Sequence, residues 1–300
     1  MKIAICLLVM VLFAVSVYGQ VAGQKGPKVF ISVDMEGIWG VVHGEQVTAG
    51  SAEYASARKW MAEDVNAVVA GLLGAGASEI VVNDSHGSMR NIIADSLDPR
   101  ATLVTGSPKP LSMMQGIDAT FDACIFVGYH ARAGTTASIL DHTISRSTVR
   151  SIRINNQELP EMGINAAIAG YYKVPVIMLS GDVETCAQAR NIFGAEVVTT
   201  PVKEAIGRQA ARLFPAEAVR SRLREAAKEA LLKRTKIPPF RLNGPFSFEV
   251  EFLNSFQAEQ PSLLPQVKRS NPRTVTFASN DYLEGFKLMR AIIALAGIAP

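Results

Sequence analysis

Cysteine and histidine are scarce in this chain, with three of the first and four of the second in 300 residues. Cys6 stands inside an apolar N-terminal run, which leaves Cys124 and Cys186 in the body of the protein. Two thiols far apart in sequence make no disulfide framework, and neither has a second cysteine at metal-ligand spacing. Both read as packed interior groups. Charge of one sign is missing as well. The formal net charge is +3 with no long basic run, a poor match for nucleic acid as the main partner. No internal repeat or low-complexity tract occurs, and beyond residue 17 no apolar segment has the length of a membrane span. The chain is 48% hydrophobic and 19% charged, which supports a sizeable core in one large domain or two ordinary ones.

Residues 1–23 read as a signal peptide. Lys2 precedes an almost wholly apolar run over 3–17, and small residues follow, with cleavage expected after Gly19 or Gly23. An uncleaved N-terminal anchor is the alternative reading, because the run is near the lower length limit for a bilayer. The expected location is secreted or periplasmic, with no stable membrane association after the leader is removed.

The body alternates strand and helix. Strands are expected at 29–33, 79–84, 122–128, 174–179 and 196–200, with a short one within 98–105. Helices are expected at 51–73, where Met61, Val65, Val68, Val69 and Leu72 recur at helical spacing, and at 164–172 and 184–193. A strand, helix and strand over 29–84 form a βαβ unit with parallel neighbours. Residues 148–159 flank Asn155-Asn156-Gln157 as a hairpin. After Pro201 the texture becomes rich in Ala, Arg, Glu and Leu. Residues 202–234 read as two helices broken at Pro215, followed by strands at 246–252 and 274–278 and a closing helix at 281–296. The expected class is α/β: a parallel-sheet core over 24–201 and a smaller α+β portion over 202–300.

The core strands end in reactive residues. Val29-Phe30-Ile31-Ser32-Val33 runs into Asp34-Met35-Glu36-Gly37, and alternation along an extended segment turns both acids to one side. His86 and His130 follow the strands at 79–84 and 122–128. The C-terminal edge of a parallel sheet is where ligands bind. Two imidazoles and an Asp-x-Glu pair gathered there suit a metal centre, with zinc favoured and manganese or iron possible on the same donor set. More than four such ligands would suggest two metals sharing a carboxylate.

Ser32-Val33-Asp34-Met35-Glu36-Gly37, Asn83-Asp84-Ser85-His86, Gly128-Tyr129-His130-Ala131-Arg132-Ala133 and Glu161-Met162-Gly163-Ile164-Asn165-Ala166 together resemble the zinc-dependent D-aminopeptidases of the DppA type. The resemblance runs from residue 29 to the closing helix and takes in Val202-Lys203, Asn254 and Gln257-Ala258-Glu259. It implies two Zn2+ ions per subunit, with Asp34, Glu36, His86, His130 and Glu161 matching the family's ligands. Glu161 enters through the resemblance alone; its position otherwise reads as an acid at a helix N-terminus. His142 matches the family's further active-site histidine, proposed to act in the chemistry rather than to hold metal. The implied subunit is a two-domain α/β chain in a ring-like homodecamer, and the implied substrates are short peptides with an N-terminal D-residue, D-alanine above all. The small-residue helix at 164–172 and the closing helix offer faces for subunit packing.

Amide hydrolysis agrees with these residue types, since zinc lowers the pKa of bound water to about 7 and polarises a carbonyl. His142 would then move a proton to the leaving nitrogen or stabilise the oxyanion. His43 reads as a rim histidine. Asp84 and Asp182 read either as carboxylates orienting a histidine or as turn and cap residues. Arg132 reads as a substrate-carboxylate partner or a structural ion pair. Trp39 and Met35 read as packing groups, and Asn254 and Glu259 as residues that approach the site from the smaller portion. Two other classes compete: a dinuclear amidase or peptidase of different specificity, and a periplasmic peptide-binding protein, which would have little use for these acids and histidines.

Overall fold

The computed structural model describes residues 26–298, so the expected leader lies outside the described residues. The chain alternates β1 (Lys28–Val33), α1 (Tyr54–Gly74), β2 (Glu79–Asp84), β3 (Thr102–Val104) and β4 (Ala123–Val127). The hairpin β5 (Val149–Ile154) and β6 (Gln157–Glu158) follows, then α2 (Glu161–Tyr171), β7 (Val176–Asp182) and α3 (Val183–Phe193). Next come β8 (Val198–Gly207), β9 (Ala210–Leu213) and α4 (Ala216–Lys233). The chain closes with β10 (Phe246–Phe252), β11 (Lys268–Asn271), β12 (Thr274–Ser279) and α5 (Tyr282–Ala296).

Two sheets form. The larger has seven strands in the order β3-β2-β1-β4-β7-β8-β9, parallel except for the edge strand β9. The smaller is antiparallel, in the order β11-β12-β10-β5-β6. Alternation along β1 sends Val29, Ile31 and Val33 to one face, where they meet α1 and α4 residues such as Met61, Val68, Leu223 and Ala227. Phe30 points to the other face, into a second core shared with α2, α3, the smaller sheet and α5. The order of strands reverses between β1 and β4: β2 and β3 lie to one side of β1, and the chain then returns to lay β4 on the other. Such a switch point opens a crevice at the C-terminal strand ends.

The parallel βαβ unit forms as expected, with Val29 opposite Ile80 and Val33 opposite Asp84. Cys124 and Cys186 are buried free thiols. The segment after Pro201 differs from the sequence reading. Its first half is a hairpin, β8 and β9, rather than a helix, and only Ala216–Lys233 is helical. The boundary expected near residue 201 therefore falls inside β8, and α4 packs on α1 in the larger unit. Helical composition lost to strand pairing here because β8 has a parallel neighbour in β7 and an internal anchor, the fully buried Lys203. The smaller sheet in turn takes β5 and β6 from within the expected core of 24–201. The helix α2 is buried along its length to Gly170 in the chain's own core, so it offers no face for subunit packing.

Candidate metal centre

Three adjacent strands deliver the expected residues to the crevice. β1 ends at Val33, so Asp34 and Glu36 stand in the turn after the strand rather than within it. That turn lies against the one after β4: Asp34 N donates to Val127 O at 2.8 Å and Gly37 N to Gly128 O at 2.8 Å. The approach requires glycine on both sides. A Cβ on Gly37 would fall 1.9 Å from Tyr129 O, and Gly128 has φ +70° with its Cβ position 2.4 Å from Asp34 O. Lys203 fixes the same turn from below, its Nζ donating to the carbonyls of Glu36 at 2.6 Å, Ile38 at 2.7 Å and Val41 at 2.5 Å. Three acceptors match the three protons of an ammonium group. Burial pulls the Lys203 pKa down to about 7.

His86 follows β2, and its Nδ1 lies 3.0 Å from Glu36 Oε2 and 3.3 Å from Asp34 Oδ1. His130 follows β4, with Nε2 3.4 Å from Asp34 Oδ2 and 3.3 Å from Glu161 Oε1. Glu161 is the first residue of α2, presented by the hairpin before it, and its Oε1 accepts from Ile144 N at 2.6 Å. His142 reaches the same carboxylate, Nε2 to Oε1 at 3.5 Å, and stacks on His130 with ring centroids 4.0 Å apart. All six residues thus meet. They form two triads, Asp34–Glu36–His86 and His130–His142–Glu161, each with ligand atoms within 4.8 Å of one another, and Asp34 faces a histidine of both.

The tautomers are set from outside. His86 Nε2 meets Val47 O, His130 Nδ1 meets Ala131 O and His142 Nδ1 meets Leu140 O, each at 2.9 Å. A carbonyl only accepts, so each of these nitrogens carries a proton, and in the neutral ring the other nitrogen turns a lone pair toward the carboxylates. Lone pairs facing carboxylate oxygens repel unless positive charge stands between them. Asp34 Oδ2 and His130 Nε2, buried at the centre, have no hydrogen-bond partner. The buried carboxylates draw positive charge strongly, from the imidazoles themselves when nothing else supplies it. Burial alone would raise Glu36 and Glu161, yet His86 holds Glu36 well below the usual carboxylate range and His130 brings Glu161 to about 2. Burial would lower His86 and His130, yet Glu36 and Glu161 respectively hold them well above the ordinary imidazole value. This arrangement fits a metal ion, and imidazole with carboxylate fits zinc.

The cluster opens into a cavity of about 360 Å³ whose wall includes Ser112, Ser145, Arg146 and Arg290. A wider cavity of about 910 Å³ adjoins it, and His142, Arg146 and Ser147 line both.

Comparison with known proteins gives the same direction. The peptidase M55 family, described as D-aminopeptidase, matches residues 28–291. The chain belongs to the D-aminopeptidase family. The D-aminopeptidase of Bacillus subtilis (strain 168) is 38% identical over 271 residues, covering 90% of this chain and 97% of that protein. A solved structure, described as the Zn-dependent D-aminopeptidase DppA from Bacillus subtilis, a self-compartmentalizing protease, matches with a TM-score of 0.87 at 36% identity. The match covers 90% of this chain and 98% of that one.

In this member of the D-aminopeptidase family the remaining candidates take structural places. Asp84 accepts from Asn91 N at 2.5 Å and Ile92 N at 2.7 Å, and Asp182 caps α3 through Thr185 N at 2.7 Å; neither hydrogen-bonds a histidine among the described residues. Arg132 pairs with Glu158 at 2.6 Å on the rim of the wider cavity. His43 is exposed and caps a short 3-10 turn. Met35 is fully buried, and Trp39 packs edge-on against Trp60 while its Nε1 donates to Phe214 O at 2.7 Å. Asn254 begins a 3-10 turn and Glu259 lies 3.8 Å from Arg269, so neither lines the metal cavity. Sequence reasoning missed Lys203 as a support for the turn and Arg208, whose Nε meets Asp141 Oδ1 at 2.8 Å and steadies the loop that carries His142. Lys203, followed by Glu204 at the start of a segment that read as helix, carried no signal for the first. The second had none either, because its segment read as helix.

Proposed function

We propose that this chain is a zinc-dependent aminopeptidase that removes N-terminal D-residues, D-alanine in particular, from short peptides. Asp34, Glu36, His86, His130 and Glu161 would hold two zinc ions, and Asp34 faces a histidine of each triad. The observation that carries this reading is the set of three rings whose protonated nitrogens are tied to carbonyls while their second nitrogens face buried carboxylates. Likeness to a protein described as a Zn-dependent D-aminopeptidase supports it. Zinc supplies Lewis acidity and an activated water there. The chain's own part is to keep the Glu36 and Glu161 carboxylates ionised, to hold the crevice rigid through Lys203 and the paired turns, and to place one further base.

That base is His142. Its Nδ1 proton is committed to Leu140 O, so Nε2, 3.5 Å from Glu161 Oε1, keeps the lone pair that accepts a proton and returns it to the leaving amine. It is more accessible than His130, with side-chain exposures of 15% and 1%, and it stands where the two cavities meet. Asp141 beside it is bound to Arg208 and to Gly134 N, so it does not orient the imidazole.

The same reading extends to assembly and location. The description of the Bacillus subtilis structure as self-compartmentalizing supports a homo-oligomer for this chain, ten copies by the family's pattern. Export to the periplasm or the exterior rests on the composition of residues 1–23. Light scattering of the purified protein and N-terminal sequencing of material from its own host test these two points; one chain per particle, or a retained Met1, would remove them. The function itself is tested by offering zinc-loaded protein D-Ala and L-Ala dipeptides side by side. Release of D-alanine, abolished by chelation and restored by zinc, is the expected result. Preferential cleavage of the L-peptide would favour the amidase or peptidase of other specificity.

A further inference from the structure

Arg290 is a cation in the metal cavity without an ion-pair or hydrogen-bond partner among the described residues. It projects from α5, whose neighbouring residues Phe286, Met289, Ile292 and Ile293 are buried in the smaller unit's core. One helical turn away in either direction stand Phe286, Lys287, Ile293 and Ala294, so α5 offers it no acid. The side chain is only partly exposed, and burial lowers its pKa with Glu161 as the opposing charge. Yet it forms no ion pair and no hydrogen bond among the described residues, and Glu161 is already engaged by Ile144 N and two histidines. A guanidinium withdrawn from water is retained at a cost unless an anion completes it. Its planar fork fits a carboxylate bidentately. Arg146, which lines the same cavity and the adjoining one, also lacks an ion pair among the described residues.

We propose that Arg290, assisted by Arg146, binds the free C-terminal carboxylate of a dipeptide substrate and so selects unblocked dipeptides. The inference rests on the aminopeptidase reading. An extended residue spans about 3.3–3.6 Å, so in a dipeptide the carboxylate stands one residue from the scissile bond. It must then be met inside the metal cavity, where Arg290 is, and not in the wider cavity beyond His142. Longer or amidated peptides present a neutral amide at that point and leave the fork unfilled.

The test compares D-Ala-D-Ala with its C-terminal amide on the zinc-loaded, full-length protein. Wild type should favour the free acid by roughly 10–100-fold in kcat/KM, the worth of a charge-assisted contact. In Arg290→Gln that ratio should fall toward one through a higher KM for the free acid, and Arg290→Lys should recover part of it. Titration calorimetry with the two corresponding reduced-amide isosteres should show the same preference in affinity, and this readout stands even if neither peptide is cleaved. No preference in wild type, or a ratio unchanged in both variants, overturns the proposal. Equal losses on acid and amide would assign Arg290 to the charge balance of Glu161 instead and would also overturn it. Failure of wild type to cleave either peptide, with the affinity preference intact, would remove the aminopeptidase reading while leaving the carboxylate site.

Discussion

The two triads of the metal centre are unequal in construction. Asp34, Glu36 and His86 come from the ends of two adjacent parallel strands within one βαβ unit, and a buried lysine holds the turn that carries both acids. His130, His142 and Glu161 come from a strand end, an irregular loop and the first turn of a helix. The loop depends on Arg208 in the β8–β9 hairpin, and the helix is led in by a hairpin of the smaller sheet. The first triad is therefore a local product of the parallel sheet. The second requires that several distant segments be in place. Asp34 faces both, and His142 is the member of the second that turns toward the open cavity.

The largest expected effect comes from removing what the triads share. Asp34→Ala should lose both zinc ions and reduce activity to background, whereas Glu36→Gln and Glu161→Gln should each retain the ion of the opposite triad. Elemental analysis on the three purified variants checks this. Equal metal loss in all three would mean that the two halves are not separable.

Within the second triad, His142→Ala should keep the metal and lower kcat by about two to four powers of ten, the range of acid–base assistance. His130→Ala should lose metal with activity. If His142→Ala loses zinc as His130→Ala does, the imidazole is a ligand, and the triad holds its metal with all three residues.

Lys203→Met sharpens the contrast from the other side. It leaves three carbonyls of the first triad's turn without their donor, and a buried acceptor left unmade costs about 1–3 kcal/mol. A loss of roughly 3 kcal/mol in denaturant unfolding is expected after partial relaxation. Zinc affinity should fall about 10–100-fold, as for loss of other groups that orient ligands. Unchanged stability would show that the turn does not need the lysine.

The smallest effect concerns Asp64, which accepts from Trp39 N at 2.9 Å behind the same turn. Burial pushes its carboxyl up to about 7, against the hydrogen bond from Trp39 and the charge of Arg220. A raised folded-state pKa means that its contribution is fully present below the unfolded carboxylate value and is lost as pH rises through about 7. Asp64→Asn keeps the acceptor for Trp39 and removes the titration. Between pH 4.5 and 8, wild type should lose thermal stability relative to this variant, by about 1 kcal/mol or more. A constant difference across that range would remove the assignment.

Much of the first triad was legible in the sequence, and the reason is geometric. A buried strand, a helix and a second buried strand admit one common arrangement, parallel neighbours, so Asp34, Glu36 and His86 must share an edge. His130 followed by the same logic from the apolar run before it. Period and composition also located α1, α3, β10, β12 and α5 to within a few residues. They located the start of β8 but failed at its continuation past Pro201 and at β9, where alanine-rich helical texture was overridden by pairing with β7 and by the burial of Lys203. Glu161 and His142 had no local signature, because nothing in a helix N-terminal acid or a loop histidine says which strand end it will meet. Nor does an arginine three residues after an exposed lysine on α5 announce that it enters a cavity. The sequence by itself determined the strand ends and the chemistry of the side chains on them, through periodicities that act over a few residues. Only the tertiary structure decided which distant segments close over that edge, because that choice depends on how the two sheets and the helices of the described residues bury their apolar faces together.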